Sequence, residues 1–180
     1  MVRLRPGDAA PDFTVEEINS RRPIRLADFQ GHPTLISFHR YAACPFCNLH
    51  IHELSREFPR LEASGFKILA IFSSLPDRLA DQFSSRKVPF PIVADPSLLA
   101  YDAYGIEKST MGMLASFVHP RGLVATLKGY LPGKIDGDVR WLPADFLLSP
   151  EHRIERVYYS TNITQHLSMK EIERFASAFE

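Results

Sequence analysis

The sequence predicts an α/β layer fold, on three observations. Stretches patterned as strands alternate with stretches patterned as helices, as expected of a sheet covered by helices. The run 66–72 (FKILAIF) is almost wholly apolar without alternation, which fits a strand buried on both faces. A second apolar run, Thr34–Phe38, leads into Cys44-Pro45-Phe46-Cys47, and a helical pattern follows at once.

Taken in order, 13–15 and 23–26 read as short strands around the polar turn Asn19-Ser20-Arg21-Arg22. Thr34–Phe38 is the first buried strand. Cys47, Ile51, Leu54, Phe58 and Leu61 then recur at steps of four, three, four and three, which forms one apolar stripe of a helix. Gly65 is placed as a C-cap, and Pro59 is expected to kink that helix or break its last turn. After strand 66–72, Pro76-Asp77 opens a helix to about residue 86. The segment 89–93 is extended, and Pro96 opens a helix to about residue 104. Ala144–Leu148 and Ile154–Tyr159 predict a hairpin. Ser168 and Glu171 form a capping box for a last helix with Ile172, Phe175, Ala176 and Phe179 inward. Residues 108–141, rich in Gly and Pro, read as an insertion carrying one or two short helices and a loop.

At 180 residues the chain is long enough to bury one core, so a single domain, 1–180, is expected. The 21 basic and 21 acidic residues balance, which argues against a nucleic-acid or other polyanion binder. No apolar run has the length of a signal peptide core or a bilayer span, so no membrane association is expected and a cytoplasmic setting is. A lasting structural disulfide is unusual there.

Cys44 and Cys47 are the only cysteines, and their C-x-x-C spacing between a strand and a helix is that of a thioredoxin-like redox site. The reactive species is the thiolate, so such a site must lower a thiol pKa. Cys44 at the helix N-terminus meets unpaired N–H groups and the positive end of the helix dipole. Pro45 suits the first turn because it has no N–H to leave unpaired. Arg40 is a candidate to add positive charge. Cys47 lies on the apolar stripe and is expected to be the more buried thiol, which makes Cys44 the attacking and Cys47 the resolving residue. His50, one turn further on, is a candidate acid–base group for Cys47; its alternative is a partly exposed histidine without a role. His39, Arg40 and Tyr41 precede the pair in what reads as an exposed loop, where Arg40 and Tyr41 are candidates to meet substrate. A metal site is the rival reading of the cysteines. It would need two further ligands among His39, His50, His52 or a carboxylate, and the sequence has no second C-x-x-C or paired-histidine motif. No metal and no cofactor are therefore expected.

Further motifs carry a resemblance. Gly7-Asp8-Ala9-Ala10-Pro11-Asp12-Phe13 and Leu26-Ala27-Asp28-Phe29-Gln30-Gly31 resemble the opening of the redoxins, the peroxiredoxins of the alkyl hydroperoxide reductase/thiol-specific antioxidant superfamily and their thioredoxin-like relatives. Phe38-His39-Arg40 with Cys44-Pro45-Phe46-Cys47 is similar to the signature of a peroxiredoxin-like branch. So are Pro91-Ile92-Val93-Ala94-Asp95-Pro96, Tyr104-Gly105-Ile106, Lys128-Gly129-Tyr130 and Gly137-Asp138. The resemblance implies a thioredoxin-like fold: a central mixed β-sheet flanked by helices, an N-terminal β-hairpin extension, and the insertion before the last hairpin. It departs at two places. Typical members place threonine three residues and proline seven residues before the peroxidatic cysteine, where this chain has Tyr41 and Ser37. Their arginine near the start of the late strand is replaced by Leu142-Pro143-Ala144-Asp145-Phe146. Pro143 there resembles the cis-proline of thioredoxins, which makes Leu142–Pro143 the candidate cis bond.

The reading that follows is a dithiol oxidoreductase cycling Cys44 and Cys47, taking a protein disulfide as substrate and electrons from an external thiol or reductase. The first alternative is a peroxidase, in which a hydroperoxide converts Cys44 to a sulfenic acid before Cys47 closes the disulfide. The second is a non-catalytic redox sensor or binding module. It would use the basic insertion, with Arg121, Lys128, Lys134 and Arg140, as its partner surface.

Overall fold

The computed structural model describes residues 2–115, 127, 129 and 133–179. Strands β1 (Thr14–Glu17) and β2 (Pro23–Arg25) are followed by a 3-10 turn, Leu26–Phe29, and strand β3 (Thr34–Phe38). Helix α1 (Pro45–Ala63), strand β4 (Lys67–Phe72), helix α2 (Pro76–Phe83), strand β5 (Ile92–Ala94) and helices α3 (Leu99–Ala103) and α4 (Thr110–Ala115) come next. Strands β6 (Ala144–Leu148) and β7 (Ile154–Tyr159) and helix α5 (Met169–Ala176) complete the order.

All seven strands form one mixed sheet, ordered β2-β1-β5-β4-β3-β6-β7. β3 pairs in parallel with β4, and β4 with β5; the pairs β1·β2, β1·β5, β3·β6 and β6·β7 are antiparallel. The sheet, its flanking helices and the N-terminal hairpin are those expected. The central strands are apolar on both faces because both are covered. Leu35, Ile68, Ala70, Phe72 and Leu147 pack under α1, α2 and α5, while Ile36, Phe38, Leu69, Ile71 and Phe146 pack with α3 on the other side.

Four expectations need correction. Pro59 does not break α1, which continues to Ala63. Pro59 is exposed, and it costs the helix only its own bond to the Ser55 carbonyl, while buried Phe58 and Leu61 anchor the last turns. The helix expected from Pro96 begins at Leu99 instead. The Asp95 carboxylate accepts from Ser97 Oγ and from the amides of Leu99, Ala100 and Tyr101, holding 96–98 as a turn with Leu98 at φ 63°. Helix α2 ends at Phe83 rather than near residue 86, in a turn closed by the Arg86 amide on the Phe83 carbonyl. The Leu142–Pro143 bond is trans, since no described peptide bond is cis; Pro143 lies against β6, and its carbonyl accepts from the Ser160 amide at 3.0 Å.

In the insertion, α4 is one of the short helices expected, and Lys108 bridges to Trp141. A second helix, Arg121 and Lys128 lie outside the described residues. Among the described residues, no helix is long and apolar enough to cross a membrane.

Candidate active site

Strand β3 ends at Phe38, and residues 39–44 carry the chain from the sheet to the N-terminus of α1. That loop is pinned on every side. The His39 amide donates to the Ile71 carbonyl at 2.8 Å, and Tyr101 Oη donates to the His39 carbonyl at 2.6 Å. The Arg40 carbonyl accepts from the amide and the hydroxyl of Ser73. The Ala42 amide donates to Ser74 Oγ at 2.8 Å. Asn48 Nδ2 donates to the carbonyls of Ala42 and Cys44, both at 2.8 Å, while its Oδ1 accepts from Gln82 and Arg86.

Cys44 is the N-cap of α1 and Pro45 opens the helix. The Cys44 sulfur accepts from the Cys47 amide at 3.4 Å, from Arg40 Nη1 at 3.5 Å and from the Cys47 thiol at 2.7 Å. Burial would raise the Cys44 pKa. The Cys47 thiol, the Arg40 guanidinium and the amides of Cys47 and Phe46 outweigh it and bring the pKa down to about 6. Cys47 is driven the other way, well above an ordinary thiol, by burial and by its bond to the neighbouring sulfur. One member of the pair is thus poised as a thiolate while the other keeps its proton.

Both thiols are free, and neither exposes any surface. Part of the cover is the segment 133–139. Arg40 Nη2 donates to the Val139 carbonyl. A Cβ on Gly133 would meet Ala43 Cβ at 2.7 Å, and one on Gly137 would lie 3.6 Å from Tyr41 Cβ. These glycines let the segment lie flat on the cysteine loop.

The loop predicted to be exposed is therefore buried. His39, Arg40 and Tyr41 all lie inside, because Ser73, Tyr101 and Val139 reach them from elements distant in sequence. The Tyr41 ring stacks under the Arg40 guanidinium at 5.2 Å. Burial and the adjacent Cys44 push its hydroxyl up to about 12, so it stays protonated. His50 is also buried, not partly exposed. Its Nδ1 lies 3.8 Å from a Glu53 oxygen and its ring stacks on His166 at 3.9 Å. Burial and the neighbouring His166 push its pKa down to about 4. Pro143 adjoins the neighbouring strand β6, with the trans bond already described. Two carriers of the site were missed in the sequence. Ser74 is an ordinary loop serine. Asn48 is a polar residue inside a helix, and its position one residue past the second cysteine was the only hint.

The AhpC/TSA family pattern matches residues 6–157, a span that contains the strand, the cysteine pair and Arg40. The chain belongs to the AhpC/TSA family. It is 25% identical to peroxiredoxin Bcp of Escherichia coli over 153 residues, which is 84% of this chain and 92% of that one. It is 28% identical to the thiol-disulfide oxidoreductase ResA of Halalkalibacterium halodurans over 104 residues, 57% of this chain and 58% of that one. Among solved structures, a thiol peroxidase from Chromobacterium violaceum superposes with a TM-score of 0.67 at 17% identity, covering 98% of this chain and 88% of that one. Membership makes this AhpC/TSA chain a thiol-based redox enzyme, an oxidoreductase of the antioxidant type.

Proposed function

We propose that this AhpC/TSA enzyme is a thiol-dependent peroxidase for small hydroperoxides, with Cys44 as the attacking and Cys47 as the resolving residue. The observation that carries this reading is the Cys44 sulfur, held as a thiolate against Arg40 and completely enclosed. A site closed by 133–139 suits a substrate of a few atoms better than a folded protein disulfide.

The Cys44 thiolate attacks one oxygen of the O–O bond. That bond breaks, Cys44 becomes a sulfenic acid, and the other oxygen leaves as an alcohol or water after taking a proton. Arg40 donates toward the reacting sulfur and offsets negative charge that develops on the leaving oxygen. The Cys47 sulfur, 2.7 Å away, then displaces hydroxide from the sulfenic acid, and its released proton completes a water molecule. Two external thiols, or a reductase dithiol, return the disulfide to the starting state with two electrons. A cytoplasmic setting supplies such reductants. Tyr41 packs against Arg40 and fixes its guanidinium.

The test is stopped-flow oxidation of the reduced protein by hydrogen peroxide and an organic hydroperoxide. Oxidation far faster than that of free cysteine, abolished in Cys44→Ser, is expected. Cys47→Ser should accumulate a sulfenic acid that dimedone traps. Peroxide oxidation no faster than that of free cysteine, with rapid oxidation by small disulfides, would favour dithiol–disulfide exchange instead. That second reading rests on the proximity of the two sulfurs, which equally suits exchange. Of the basic residues of the sensor reading, Arg140 is paired with Asp138 at 2.8 Å.

A further inference from the structure

Arg40 joins the reacting sulfur to the segment that covers it. Its side chain is buried, and among the described residues it meets three groups. Nη1 donates to the Cys44 sulfur at 3.5 Å, Nη2 donates to the Val139 carbonyl, and the Tyr41 ring lies against its face at 5.2 Å. Nε is buried without a hydrogen-bond partner. Of the three groups only the sulfur carries negative charge, because the Tyr41 hydroxyl stays protonated.

The segment 133–139 carries opposing contributions to closure. Gly133 lies against Ala43, and Gly137 against Ser73 and Tyr41. Asp138 pairs with Lys108 and Arg140, which fixes the end nearest β6. Between these anchors, both oxygens of Asp136 are buried without a hydrogen-bond partner among the described residues. A carboxylate in that condition favours any state in which water reaches it. Closure therefore depends on the bond from Arg40 to Val139, and Asp136 works against it.

We propose that Arg40 and segment 133–139 form a redox-sensitive latch, shut over the Cys44 thiolate and released when Cys44 and Cys47 join as a disulfide. The latch rests on the dithiol–disulfide cycle of the two cysteines, which both readings above share. In that step the Cys44 thiolate and the Cys47 thiol give two electrons and one proton to the oxidant, a hydroperoxide or a small disulfide, and a neutral S–S bond forms. Arg40 keeps its charge, since a guanidinium does not deprotonate in proteins. It is then a buried cation with no anion beside it, an arrangement that strongly destabilises an interior. Turning the guanidinium into water relieves this, and the same motion gives up the Val139 carbonyl. The segment loses its tie to the cysteine loop, Asp136 gains water, and the enclosed disulfide opens to an external thiol. Helix α1 has no need to unwind, because the two sulfurs already lie 2.7 Å apart within one turn.

The test is arginine labelling of the full-length protein with phenylglyoxal, mapped by peptide mass spectrometry, before and after oxidation with diamide. Diamide closes the disulfide without peroxide, so the result is independent of peroxidase activity. The mass of the protein confirms the disulfide, circular dichroism confirms the fold, and exposed Arg78 serves as the internal standard. Arg40 should be protected in the reduced protein and label faster by about tenfold or more in the disulfide form, with Arg78 unchanged. Cys44→Ser places a neutral hydroxyl beside Arg40 and cannot form the bond. Arg40 should label in that variant without oxidant, which separates loss of charge from covalent closure. Protection of Arg40 in the disulfide form, equal labelling in both redox states, or protection in folded Cys44→Ser would each overturn the proposal.

Discussion

The reactivity of Cys44 depends on a few contacts, each open to test. If the Cys47 thiol, Arg40 and two helix amides hold its sulfur as a thiolate, thiolate absorbance near 240 nm should titrate with a midpoint of about 6. In Arg40→Met that midpoint should move up toward the ordinary thiol range, with peroxide oxidation at pH 7 slower by roughly 10²-fold. An unchanged midpoint would remove Arg40 from the account. Asn48→Ala takes away the donors that hold the Ala42 and Cys44 carbonyls, and should cost about 1–3 kcal/mol in a urea melt. Cys44, Cys47 and Arg40 were legible in the sequence because their chemistry is local: a cap, a spacing, a charge four residues away. Ser74, Val139 and His166 were not, because they reach the site from residues 30 to over 120 positions distant, and no pattern of periodicity records that.

Elements were most legible where start and stop are written in neighbouring residues. The β6·β7 hairpin falls where expected, and α5 begins at the Ser168–Glu171 capping box. They were least legible where a side chain or a buried surface overrides local preference. The Asp95 carboxylate delays α3 by three residues past Pro96, and burial of Phe58 and Leu61 carries α1 through Pro59. The second case yields a prediction. Pro59→Ala restores a donor for the Ser55 carbonyl within a helix that already exists, so it should stabilise the fold by about 1–2 kcal/mol. Loss of stability in chemical denaturation would show that the ring of Pro59 contributes packing that outweighs the missing bond.

For the whole molecule, the ionised sulfur links folding to pH. Its folded-state pKa, about 6, lies below that of an ordinary thiol, so the reduced protein should gain stability as pH rises from 7 to 8.5 and lose it as pH falls through about 6. The slope is at most about 1.4 kcal/mol per pH unit. Melting curves of reduced wild type and Cys44→Ser should diverge over that window, and parallel curves would argue against a native-state thiolate. The mixed sheet itself was readable because 68–72 (ILAIF) is apolar on both sets of alternate residues, as a strand covered on both faces requires.

That sheet ends in two strands that discourage growth. One rim is β2, three residues long and beginning with Pro23, which has no N–H to offer a new neighbour. The other is β7, where Glu155 and Arg156 are exposed and a register shift interrupts its pairing with β6 at Leu147/Leu148. Neither rim is a template for adding a strand from another chain. A second molecule that meets this one, whether another copy or an electron donor, therefore finds no ladder to extend, and recognition falls to side chains on the helical and loop faces.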